Sequence, residues 1–164
     1  MSGGVTSILE PFARAAVPPP HFRTLVLHNG EPAPLTQVPQ LAFDEFKRTI
    51  LNLVRHGSHA ISFFGKPLEG DAGIRIYAIF GDTWNGTVHV FTTEVGNSYP
   101  SLTPDCPQLH WFEREIAEQW GVVPEGHPWF KPIRFHHSYR PGHDAWGRAV
   151  GSTILPCVTD YFRV

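Results

Sequence analysis

Between residues 43 and 120 the apolar positions of this chain change their period twice, and the changes mark out its elements. From Phe43 to Arg55 the set Phe43, Phe46, Ile50, Leu53 and Val54 recurs at three- and four-residue steps, with Asp44, Glu45, Lys47 and Arg48 on the wet side. That spacing predicts an amphipathic helix. Its charges follow the helix dipole, with Asp44 and Glu45 in the first turn and Arg55 in the last, and Gly57 offers a stop. The period then drops to two. Residues 60–64 read as a short buried strand and 65–73 as a Gly/Pro loop. Residues 74–80 alternate Ile74, Ile76, Ala78 and Phe80 against Arg75, Tyr77 and Ile79. Asn85-Gly86 is a hairpin signal. A two-residue loop there sets Phe80 opposite Phe91, Ala78 opposite Thr93 and Ile76 opposite Val95, one apolar face for helices to cover. Upstream, HFRTLVLH at 21–28 suggests another strand, partly apolar on both sides, followed by a Pro-punctuated loop over 29–41.

The helical period returns after residue 105. Leu109, Phe112, Ile116 and Trp120 form one apolar stripe, and burying such side chains is worth about 1.5–3 kcal/mol each. Asp105 is placed to cap this helix, with Gln108 completing a capping box and Pro107 tolerated in the first turn. Gly121 is the natural stop, with Pro124 beyond it. Glu113 falls on the shoulder of the stripe, near Trp120. A carboxylate there needs a cation or several donors, because an unpaired buried charge is costly. The expected partner is Lys131, Arg134 or another cation folded back from the loop after Gly121. Arg114 and Glu115 diverge from Glu113 by about 100° per residue, so the three charges are separate anchors rather than one cluster. Trp111 lies almost opposite the stripe. Either loops of the same domain cover both sides of the helix, or Trp111, Arg114 and Glu115 face a partner protein.

Together the elements predict an α+β, two-layer domain: a mainly antiparallel sheet with two principal helices on one face, and an extended C-terminal tail. We expect a leader or linker over 1–20, ending in Pro18-Pro19-Pro20, the domain over 21–135, and the tail over 136–164. Only 17% of residues are charged, below the roughly one quarter typical of free-standing domains, while Phe and Trp are plentiful. That balance suits a subunit with much of its surface against neighbours, and it also fits a loop-rich monomer. A formal net charge of −2 leaves no electrostatic footprint for nucleic acid. No apolar run reaches the ~18 residues of a membrane span, and the start of the chain lacks a signal peptide's pattern. The expectation is a cytoplasmic protein that meets a membrane through another chain.

Candidate chemistry is sparse. Cys106 and Cys157 form no paired spacing, which excludes a self-contained iron–sulfur or four-cysteine zinc site. A disulfide between them is not expected in a cytosolic chain. His136, His137 and His143 raise the alternative of a free-standing metal-binding or metal-delivery module, although adjacent histidines on an extended chain point to opposite faces. Glu113 and Glu115 diverge by roughly 200° on a helix and cannot flank one bond. No nucleotide, dinucleotide or nucleophile-elbow motif is present. The expectation is therefore no catalytic residue, no metal and no cofactor.

The strings PSLTP (100–104), WFEREI (111–116), Gly121 and GHP (126–128) together resemble the C-subunit family of NADH:quinone oxidoreductase, respiratory complex I. They look closer still to the equivalent domain of membrane-bound group 4 nickel–iron hydrogenases and formate hydrogenlyase, and the likeness covers roughly residues 22–135. The resemblance implies an accessory α+β domain without a cofactor. It would dock on the hydrogenase-like large subunit beside a small iron–sulfur subunit, peripheral to the inner face of the cell membrane. It further implies that Trp111, Glu113, Arg114, Glu115, His127 and Pro128 serve as interface or structural residues. The stretch GHDAWG (142–147) departs from the complex I pattern, and the ending DYFRV (160–164) looks like the approach to a fused large-subunit domain.

Overall fold

The computed structural model describes residues 22–149 and 152, so the expected leader, Cys157 and the ending at 160–164 lie outside the described residues. Among the described residues, six strands and two α-helices follow in the order β1 (Leu25–His28), α1 (Phe43–Arg55), β2 (His59–Pro67), β3 (Ile74–Asp82), β4 (Thr87–Val95), β5 (Ser98–Pro100), α2 (His110–Trp120) and β6 (Val123–Glu125), with short 3-10 turns between some of them. Four strands form an antiparallel sheet in the order β1-β4-β3-β2. The fold is α+β, as the change of period predicts.

One face of the sheet carries the core. Ile74, Ile76, Ala78 and Phe80 of β3, Phe91 and Thr93 of β4 and Phe63 of β2 are all buried. Helix α1 lays Phe46, Ile50 and Leu53 on this surface, and the Phe46 ring stands 5.2 Å from Phe91 and 6.1 Å from Phe63. Its bounds are those the pattern predicts. Helix α2 joins the same core through Ile116, with Leu109 of the turn before it, and its Trp120 indole closes over Gly65 of β2. A Cβ at Gly65 would come within 2.8 Å of that indole, so the close approach of α2 to the sheet depends on glycine there.

Three sequence expectations need correction. The β3–β4 connection is longer than Asn85-Gly86. Asp82 pairs with Thr87, so Phe80 faces His89, Ala78 faces Phe91, Ile76 faces Thr93 and Ile74 faces Val95. The Asp82 carboxylate explains the longer turn: it accepts the backbone N–H of Trp84 at 2.9 Å and of Asn85 at 3.2 Å, and the Asn85 side-chain amide at 2.6 Å. A shift of two residues keeps every side chain on its expected face, which is why the core survives the error.

The capping box is also absent. The chain enters α2 through a 3-10 turn at Pro107–Leu109, and neither start has a side-chain cap. Asp105 pairs instead with Lys47 of α1 at 2.7 Å, and Gln108 accepts the Ala60 backbone N–H at 2.8 Å. Both side chains serve tertiary contacts rather than the helix end. Lastly, residues 97–104, expected to be irregular, contain β5, which pairs in parallel with β6. Elements three residues long carry no readable period.

Candidate functional site

Helix α2 is a post to which three stretches of irregular chain are tied. Glu113 is fully buried and grips residues 101–103: Ser101 Oγ donates at 2.7 Å, Leu102 N at 2.8 Å and Thr103 N at 2.9 Å, and Thr103 Oγ1 donates as well. The expected cation is therefore replaced by four neutral donors from the PSLTP string. Lys131 offers only its carbonyl, to Arg114, and the Arg134 guanidinium goes to Glu115 at 2.6 Å. A carboxylate has lone-pair sites for about four donors, so the set is complete without a counter-ion. Burial and the Glu113 charge push the phenol of neighbouring Tyr99 well up.

Arg114 is 4% exposed. Its Nε donates to the Lys131 carbonyl at 2.7 Å and its Nη2 to the Pro132 carbonyl at 3.0 Å. The guanidinium carbon lies 5.0 Å from the ring centre of Trp111 and 4.9 Å from that of Trp129. Glu118, a residue the sequence did not single out, is buried and accepts three backbone N–H groups. Ile133 donates at 2.9 Å, Arg134 at 2.8 Å and His136 at 3.1 Å. Sharing a helix face with Arg114 at i+4 was the available signal, and it reads as an ordinary helical ion pair.

His127 and Pro128 sit on the turn after β6, where the His127 N–H donates to the Pro124 carbonyl at 3.2 Å. The His127 ring is largely buried. Its Nδ1 accepts the Trp129 N–H at 3.1 Å, which leaves Nε2 to donate to the His110 carbonyl at 3.2 Å. Burial lowers the pKa of both His127 and His110. Trp111 projects from the far side of α2 and is 59% exposed, beside a groove that Pro104, Pro107 and Trp129 also line.

The tail beyond residue 136 returns to the same helix. Tyr139 N donates to the Gln119 carbonyl at 2.7 Å. Arg140, 4% exposed, reaches the Trp120 carbonyl, the Asn97 side chain and the Asp71 carboxylate, the last at 2.8 Å. His143 meets the other oxygen of Asp71 at 2.7 Å. Arg140 and then His143 hold the Asp71 carboxyl below its ordinary value.

The three tail histidines are not brought together. His136 stacks on Tyr139, its Nδ1 meets the His137 carbonyl, and His143 is taken by Asp71. Among the described residues no three His, Cys, Asp or Glu side chains are grouped as a metal ion would require. Cys106 is buried, and burial raises its thiol pKa, so it lacks the thiolate character of a reactive cysteine.

All of these ties fall within a span that can be compared with known families. The family described as the respiratory-chain NADH dehydrogenase 30 kDa subunit matches residues 56–145, more than half of the chain. The chain belongs to that family. Comparison with curated proteins gave no match. As a 30 kDa-subunit family member the chain is a component of an NADH dehydrogenase-like oxidoreductase complex. The family match includes β2 to β6 and both ends of the Asp71–His143 contact that ties the tail to the domain. Among the described residues no helix is long and apolar enough to cross a membrane.

Proposed function

We propose that this chain is a structural subunit without a prosthetic group of its own. In this reading it docks on the hydrogenase-like large subunit, next to the small iron–sulfur subunit, peripheral to the inner face of the cell membrane. One observation carries the reading. Glu113, Arg114, Glu115 and Glu118 each hold a neighbouring stretch of loop, so helix α2 spends its charges on shape. A rigid post dressed with three fixed loops is what a docking subunit requires.

The test is to purify a tagged chain from its native cells. The expected result is recovery of the large and small redox subunits, with Glu113→Gln lowering the amount of assembled complex but not the turnover per complex. An isolated chain that oxidises NADH, or keeps a stoichiometric prosthetic group, would end this reading.

A further inference from the structure

Beside α2, among the described residues, the fold leaves a buried guanidinium N–H of Arg114 without an acceptor. Pro104, Pro107, His110, Trp111, Pro128 and Trp129 line a groove in which Trp111 is 59% and Trp129 40% exposed. Its walls are held in place. The Trp129 ring stacks on His110 at 5.5 Å, His127 accepts the Trp129 backbone N–H, and Pro104 follows the Thr103 that Glu113 grips. Arg114 lies against both indoles. Among the described residues its Nη1 has no hydrogen-bond partner, and none of the ion pairs includes it. The nearest carboxylate, Glu118 one turn on, stays outside ion-pair distance and is taken up by backbone N–H groups, so its charge offsets only part of the cost of burying this guanidinium. A carboxylate placed there gains a charge-assisted bond shielded from water. Aromatic-lined grooves of this kind take extended segments.

We propose that a partner subunit of the complex inserts an extended, aspartate- or glutamate-bearing segment along the Trp111–Trp129 groove and delivers its carboxylate to Arg114. The inference rests on the complex-subunit reading and adds the surface and the chemistry of the contact. The guanidinium lies against both indoles, and the incoming segment reaches Nη1 by displacing the more exposed of them, Trp111. Buried Arg paired with flanking Trp is the composition of an interface hot spot.

The experiment places a photo-cross-linking benzoylphenylalanine at position 111 in the tagged full chain, in native cells. A control carries it at position 84, where Trp84 is 87% exposed on the β3–β4 turn. The expected product at 111, and not at 84, is a cross-link to a subunit of the complex within a few residues of an Asp or Glu. Converting that acid to its amide should cut the cross-link yield about tenfold or more. Trp111→Ala should reduce recovery of the same subunit to a similar degree, with the thermal unfolding midpoint nearly unchanged. The proposal is overturned if the tagged chain recovers the complex but position 111 cross-links to nothing, or to a segment without an acid. A cross-link to a second copy, or to residues 1–21 of the same chain, overturns it equally. Failure of the unmodified tagged chain to recover any redox subunit removes the complex-subunit reading itself, and this inference with it.

Discussion

Glu113 holds Thr103 twice, accepting both its backbone N–H at 2.9 Å and its hydroxyl. The pair fixes the approach to α2 from ten residues upstream, at a depth where water cannot substitute for a lost bond. Replacing Glu113 with Gln puts an amide N–H₂ among donors and should destabilise the chain by about 2–4 kcal/mol, measured by urea denaturation. Thr103→Val removes one donor and should cost about 1–2 kcal/mol. The two losses should fall short of additive, since they share one network.

Glu118 makes a separable prediction. Its carboxylate accepts the N–H groups of Ile133, Arg134 and His136, so Glu118→Ala should release that stretch without unfolding the sheet. In hydrogen exchange those three amides should lose protection by at least about tenfold, while the β3–β4 amides keep theirs. Equal loss across the sheet would show that the loop and the core open as one unit.

Gly121 ends α2 with φ +65°, and a Cβ there would stand 2.6 Å from the His143 Cβ and 2.7 Å from its carbonyl carbon. Gly86 has φ +64° with nothing within 4 Å. Both substitutions to Ala carry the left-handed penalty of about 1 kcal/mol, and Gly121→Ala must also displace the tail. We expect it to lower the unfolding midpoint clearly more than Gly86→Ala. Equal effects would mean that the tail moves aside at no cost.

His89, His110 and His127 all have pKa values lowered first by burial. A folded-state value below the unfolded one, about 6.5, means that the unfolded chain binds more protons as pH falls. The stabilisation is thus complete above pH ~6.5 and is lost progressively below it, through the folded-state values. Urea midpoints should be level from about pH 7 to 8 and fall toward pH 5. His127→Gln should flatten that slope in part. A midpoint independent of pH across this window would contradict the burial of these rings.

The sequence made some of this readable and hid the rest for physical reasons. Helix α1 was legible because period, charge placement and a Gly stop agree, and nothing tertiary overrides them. The strand faces of β3 were legible because alternation survives any even register error. The ends of α2 split. Gly121 was legible because a left-handed stop is local chemistry, whereas Asp105 and Gln108 found partners 58 and 48 positions away that no local pattern predicts. Glu113 was read as needing a partner, and the alternative of several donors named the right chemistry. Its donors are main-chain groups and small hydroxyls, which leave no charge signal in a sequence. The same is true of Glu118, whose three donors are all backbone N–H groups.

That detail has a consequence for how such a protein can diverge. Because Glu118 grips only peptide groups, the letters at 133, 134 and 136 can drift while the path of the chain stays put. One buried acid thus separates the outline of this surface from its spelling, and a lineage can re-tailor what it touches without redrawing its scaffold.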